Sequence, residues 1–219
     1  QMLAAISHDL RTPITRMRLR VDLLDDPVLH DKLQSDLTEM QALVEEGIAY
    51  ARVPQAAREP VQRVDLRALV DSLACDYADA GQPVAVWQAM ALVVPTRPLA
   101  LRRQLCNLID NALKFAGQAE LVLEQHHDPG GQGHWIVKVL DLGPGIPAAD
   151  RSIVLQPFVR LETSRNRGTG GTGLGLAIAA ELAAVLGGAL ELGARDDAGP
   201  GLSAALRVPV GAGKPDAAV

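Results

Sequence analysis

The chain has 219 residues, 48% apolar and 21% charged, with few aromatics and a net charge of −5. That is a globular composition, and its acidic balance argues against nucleic acid as the main partner. The length allows one large domain or two smaller ones, and no apolar run approaches the ~18 residues of a membrane span.

No signal peptide is visible, and the chain opens at Gln1 in what reads as mid-helix. A longer protein is therefore expected, with any sensor or membrane anchor upstream. Leu3, Ile6, Leu10, Ile14, Met17, Val21 and Leu24 recur at steps of three or four, predicting an amphipathic helix to about Leu24. Within it, Ser7 to Pro13 reads S-H-D-L-R-T-P. His8 lies off the apolar stripe and faces solvent, beside Asp9 and one turn before Thr12. Pro13 has no N–H for the carbonyl of Asp9, so a bend is expected there.

Asp25, Asp26 and Pro27 form a turn into a second helix carrying Leu29, Leu33, Leu37, Met40, Val44 and Ile48. A lone hairpin has little core, so residues 1–52 are expected to form a homodimer as a four-helix bundle. Residues 53–64 read as a linker, its prolines ending the second helix. A second domain, 65–210, follows. Asp65 caps a helix to about Asp79, and strands are expected at Val84 to Gln88 and Ala91 to Val94. Thr96 with Pro98 opens a long helix ending near Gly117; strands at Leu121 to His127 and Trp135 to Leu140 flank a D-P-G-G-Q-G turn. A looser segment from about Gly143 to Gly173 precedes a helix, Leu174 to Leu186, and strands at Ala189 to Leu192 and Leu202 to Val208. Residues 211–219 read as a disordered tail. The class is α+β: a helical hairpin, then an α/β sandwich with helices on one face of its sheet.

Cys75 and Cys106 have no ligand-like spacing and read as buried free thiols. His126, His127 and His134 flank the hairpin turn, where a solvated loop is favoured over a metal site.

Three motifs carry chemistry. In N-L-I-D-N-A-L-K-F, Asn107, Asn111 and Lys114 share one helix face, and two amide oxygens with an ammonium suit Mg²⁺ and phosphate. In D-L-G-P-G, directly after a strand, the glycines allow a tight turn near a ligand, and Asp141 can accept from an exocyclic amine such as that of adenine. In G-T-G-G-T-G-L-G-L, Gly168 to Leu176, backbone N–H groups opening a helix suit phosphate. Residues 168–173 also match G-x-G-x-x-G, but T-S-R-N-R before them is no buried strand, so the dinucleotide fingerprint is rejected. A P-loop is absent.

In this order the motifs resemble the H, N, G1, F and G2 boxes of sensor histidine kinases, from Ser7 to about Val210, with P-F-V-R, Pro157 to Arg160, as the F box. The S-H-D-L-R-T-P-x-T-R-x-R-L run and Q-P-F-V-R look most like the EnvZ osmosensor subfamily. The resemblance implies a Bergerat-type ATP-binding domain, with ATP and Mg²⁺ as cofactors. It makes His8 the phosphoacceptor, Asp9 its acidic neighbour, and Thr12 the residue that positions water when the partner is dephosphorylated. Asn111 would hold Mg²⁺ with support from Asn107, and Lys114 would contact phosphate. Asp141 would read adenine, with Gly143 and Gly145 allowing close approach and Phe115 lining the pocket. Phe158 of the F box belongs to the same binding set. Gly171, Thr172, Gly173, Leu174 and Gly175 would form the lid hinge and phosphate cradle.

The implied partners are a second copy of the chain and a response-regulator receiver domain, OmpR-like by subfamily, with the full-length protein in a bacterial inner membrane and this part cytoplasmic. The competing class is the gyrase- and Hsp90-like ATPase clamp. There a Glu four residues before the metal-binding Asn activates water; here that position is Asn107, and an amide is no base. A third reading, a binding module with dead chemistry, conflicts with intact Asn111, Asp141 and glycines.

Overall fold

The computed structural model describes residues 2–161, 171–195 and 200–213, with side chains from 10 to 211 among them. Two helices open the chain, α1 (Met2–Val21) and α2 (Pro27–Ala51). Asp26 caps α2, its Oδ1 accepting from the N–H groups of Val28 at 2.9 Å and Leu29 at 3.2 Å, with Pro27 at the first helical position. The helix α1 runs unbroken through Pro13, so the expected bend does not interrupt it. Among the described side chains, the hairpin's own core is Ile14, Val21 and Leu37, with Leu33 and Val44 packed against it. Leu10, Met17, Leu19, Leu23, Leu29, Met40 and Leu43 stay exposed, an apolar surface one hairpin cannot bury.

Residues 53–64 are more structured than a linker reading implies. A one-turn helix α3 (Val53–Ala56) follows α2, and Val53 is buried in the core of the second domain. Glu59 then reaches the start of α5 (Pro98–Ala116), its two carboxylate oxygens accepting from the N–H groups of Leu99 at 2.7 Å and Ala100 at 2.9 Å. That helix begins at Arg97 with no cap of its own, so the cap expected near Thr96 is supplied from outside the helix. Strand β1 (Gln62–Asp65) pairs antiparallel with β3 (Val93–Thr96). Asp65 caps α4 (Leu66–Asp79), accepting from Ala68 N–H at 3.1 Å.

The main sheet has the order β2-β4-β5-β7-β6, from β2 (Val84–Ala89), β4 (Ala119–His127), β5 (Gly133–Leu140), β6 (Ala189–Gly193) and β7 (Ser203–Gly213). Only β2 and β4 are parallel. Alternate residues of three strands — Leu121 and Leu123, Trp135 and Val137, Leu206 and Val208 — face α4, α5 and α6 (Gly175–Val185) in one apolar core. The intervening residues carry ion pairs such as Lys138 with Glu124 at 2.8 Å.

The strand expected at Ala91 to Val94 is β3, shifted and paired with β1 outside the main sheet. Cys75 is exposed and Cys106 half-buried, so neither thiol is the fully buried one expected. His134 is buried against Asp128 and Arg207 rather than solvated. Among the described residues no group of His, Cys, Asp or Glu could hold a metal ion. No described helix is long and apolar enough to cross a membrane. Strand β7 runs to Gly213, past the start of the expected tail, and 214–219 lie outside the described residues.

Candidate functional site

One face of α5, the turn after β5 and the start of α6 enclose a cavity of about 520 Å³. From α5 come Asn107, Asp110, Asn111, Lys114 and Phe115, at the i, i+3, i+4, i+7 and i+8 spacing that stacks residues on one face. The opposite face of the same helix, Leu101, Leu105, Leu108 and Ile109, is fully buried, which fixes the polar face toward the cavity. Gly117, in the left-handed conformation with its N–H on the carbonyl of Leu113 at 2.8 Å, ends the helix.

Asp141 follows β5 directly. The N–H groups of Gly143, at 2.8 Å, and Leu202, at 3.2 Å, both donate to its Oδ1. Burial pushes its carboxyl above the usual carboxylate range, opposed by those two bonds and by the Arg195 guanidinium. Gly145 adopts a φ of 70°, and a Cβ there would stand 2.9 Å from the carbonyl oxygen of Gly201, so the turn closes only with glycine. Gly143 is not on the cavity wall; its contribution is the hydrogen bond that fixes Asp141.

Burial also lowers the pKa of the Lys114 ammonium; the Glu46 carboxylate opposes this and Arg160 adds to it. The ammonium lies 5.3 Å from the Phe115 ring centroid, and a Cβ on Gly171 would run into it. Asn107 donates its amide N–H to the carbonyl of Arg103 at 2.9 Å, which turns its amide oxygen into the end available to a cation.

Gly171, Thr172, Gly173 and Gly175 line the far wall, together with Val159, Arg160 and Leu161. Leu174 is fully buried and anchors the start of α6 in the core. Phe158 does not line the cavity. It is largely exposed, at a φ of 65° rare for a non-glycine, and its N–H donates to the carbonyl of Gly173 at 3.0 Å. The F-box turn is thus stitched to the glycine segment by backbone. Thr12 is exposed on α1; His8 and Asp9 belong to α1 by backbone, and their side chains lie outside the described set. Gly168 to Gly170 also lie outside the described residues.

Two charged wall residues were not singled out by sequence. Asp110, between the two asparagines, shares their helical spacing and accepts the Tyr77 hydroxyl at 2.6 Å. Glu46 comes from α2 and takes a hydrogen bond from Thr172 Oγ1; nothing in its local pattern marks it.

A helical hairpin leading into a sandwich with this cavity defines a class of two-module nucleotide-binding proteins. The comparisons agree: residues 96–212 match the family described as "Histidine kinase-, DNA gyrase B-, and HSP90-like ATPase", and residues 1–55 match "His Kinase A (phospho-acceptor) domain". The sensor histidine kinase GtrS of Pseudomonas aeruginosa is 41% identical over 95% of this chain and 41% of its own length. The sensor protein RstB of Escherichia coli is 33% identical over 87% of this chain and 45% of its own. Full-length ShkA, solved in complex with AMPPNP, is 26% identical with a TM-score of 0.65, covering 95% of this chain and 45% of that one. The chain belongs to the sensor histidine kinase family, and it spans under half the length of these curated relatives.

Proposed function

We propose that this chain is the ATP-dependent phosphotransfer core of a sensor kinase, carrying the γ-phosphoryl of ATP to His8 and then to an aspartate of a response regulator. The observation that carries the reading is one cavity with Asp141 at one wall and Lys114 at another, joined to a phosphoacceptor-type hairpin. With both fixed bonds ending on Oδ1, Oδ2 of Asp141 is the oxygen left for the exocyclic amine of adenine, flanked by Phe115 and Gly145. Lys114, Arg160 and the backbone of 171–173 meet the phosphates, consistent with positioning and charge neutralisation as the main source of catalysis.

The amide oxygens of Asn111 and Asn107 fit a hard divalent cation, and Mg²⁺ held there would neutralise the triphosphate. At His8, an imidazole nitrogen forms the N–P bond as the O–P bond to ADP breaks, and Asp9 takes up the developing positive charge or the proton. Thr12 serves the reverse duty, positioning water against a phosphorylated receiver. Residues 1–52 pair two chains, consistent with the exposed apolar residues of α1 and α2, and 65–210 bind nucleotide. An OmpR-like receiver, and anchoring of the whole protein in the inner membrane, complete the reading.

The ATPase-clamp alternative requires a base where Asn107 sits, and its N–H is spent on Arg103. The test is incubation with γ-labelled ATP and Mg²⁺. Acid-labile, base-stable label should appear, vanish in His8→Gln with nucleotide binding retained, and be lost together with binding in Asn111→Asp. Steady ATP turnover without label on His8 would overturn the proposal in favour of a hydrolase.

A further inference from the structure

Arg195, just after β6, is not a surface arginine. Its side chain is 5% exposed and lies beneath the turn that carries Asp141. Nη2 donates to Glu120 Oε2 on β4 at 2.9 Å, and Nη1 approaches the backbone carbonyl of Asp141 at 3.4 Å. Residues 200–202 return over the same spot: Asp141 N–H donates to the carbonyl of Leu202 at 3.0 Å, and Leu202 N–H donates back to Asp141 Oδ1. A Cβ on Gly201 would collide with the Asp141 carbonyl and come within 3.0 Å of Arg195 Cδ. The fork therefore ties β4 to the Asp141 turn, and the two Asp141–Leu202 bonds add the 200–202 segment to the same unit.

We infer that Arg195 is a positioning residue for base recognition, holding Asp141 as an ionised carboxylate with Oδ2 offered to the 6-amino group of a purine. The inference rests on the proposed adenine-reading role of Asp141. Three observations make the arrangement more than packing. A buried guanidinium is costly unless paired, yet it is placed behind the one carboxylate of the cavity that is itself buried. Among its bonds, one ends on the Asp141 backbone carbonyl and another on the strand beside it. Its positive charge opposes the burial that would otherwise keep Asp141 protonated, and a protonated carboxyl is a poorer acceptor for an amine. Among the described residues, the other charged groups facing the cavity are Glu46 from α2, Asp110 and Lys114 from α5, and Arg160 from the F-box turn.

The test compares Mg-ATP with the triphosphate of purine riboside, which lacks the 6-amino group, by calorimetry from acidic to alkaline pH. Wild type should prefer ATP, and the preference should fade on acidification. Arg195→Gln should lose about tenfold in ATP affinity, as expected for a hydrogen bond to a charged group, with little change for the deamino nucleotide. The pH at which the preference fades should also move upward. Arg195→Lys, keeping the charge without the fork, should restore most of the preference and hold that midpoint near the wild-type value; it also covers the case in which the glutamine variant does not fold. Equal losses for both nucleotides in Arg195→Gln, or an Arg195→Lys variant that folds and shows no preference, would overturn the inference. If wild type itself does not distinguish the nucleotides, the adenine-reading role of Asp141 fails instead.

Discussion

Glu46, near the end of the second helix, accepts a hydrogen bond from Thr172, in the glycine segment that opens the last helix. The contact places a carboxylate on the wall of the cavity, where it also faces the Lys114 ammonium. Thr172 Oγ1 in turn accepts from Leu174 N–H at 3.2 Å, so the first hairpin and the glycine segment are held by one short chain of bonds.

A carboxylate at that wall competes with phosphate oxygens for Lys114 and repels a triphosphate. Glu46→Gln should bind Mg-ATP about fivefold more tightly, an effect of about 1 kcal/mol for one partly solvated charge pair. Calorimetry on the whole chain measures this, and the gain should shrink at high salt. Unchanged or weaker binding would remove Glu46 from the competition.

Asp141→Asn should abolish recognition of adenine nucleotide while leaving the fold at least as stable. The sign follows from burial. A carboxyl raised above 3.8 in the folded state costs stability once it ionises. The penalty is absent below pH 3.8, develops as pH rises from there through the raised value, and is complete above it. Asparagine carries no such penalty, and its amide oxygen can still accept from Gly143 and Leu202. Thermal melts should therefore show the variant gaining on wild type as pH rises through that window. Nucleotide binding by wild type runs the other way, falling as acid protonates Asp141.

Two glycines on either side of Leu174 should behave oppositely. Gly173 has a φ of 74°, and a Cβ there would stand 2.8 Å from the carbonyl oxygen of Val159. Gly173→Ala should destabilise by about 1–3 kcal/mol and weaken nucleotide binding by opening the stitch to Phe158. Gly175 has nothing within 4 Å of such a Cβ and stands at the start of a helix. Gly175→Ala should leave the melting temperature unchanged or raise it slightly. Melting curves of the two variants side by side check this.

Glu59→Ala should cost about 1 kcal/mol, the usual worth of a helix cap, because Leu99 and Ala100 N–H groups lose their acceptor. Denaturant unfolding reads this as a lower midpoint with an unchanged slope. A neutral result would mean that water replaces the cap without loss.

The helices α4 and α5 and most strands were legible from local pattern, since apolar periodicity of 3.6 or 2 reports directly which face is buried. So were Asn107, Asn111 and Lys114, because helical spacing alone puts them on one face, and Asp141, because a glycine turn follows its strand. Thr172 and the glycines were found by motif, but which of them face the cavity was not: Leu174 points into the core, and Phe158 stays outside. The continuity of α1 through Pro13 follows the same logic, because one missing hydrogen bond does not end a helix whose neighbouring turns remain bonded.

By itself, then, the sequence determined the elements, their order and the residues that one helix or one turn brings to the cavity. Only the tertiary structure decided which distant side chains complete the site. Glu46 meets Thr172 across 126 positions, Arg195 meets Glu120 across 75, and Glu59 caps a helix 41 positions away. Each is a charged residue whose neighbours in sequence look like any solvated stretch. What gives each its role is the path of the chain, which brings a particular backbone or carboxylate within hydrogen-bonding reach, and no local periodicity records that path.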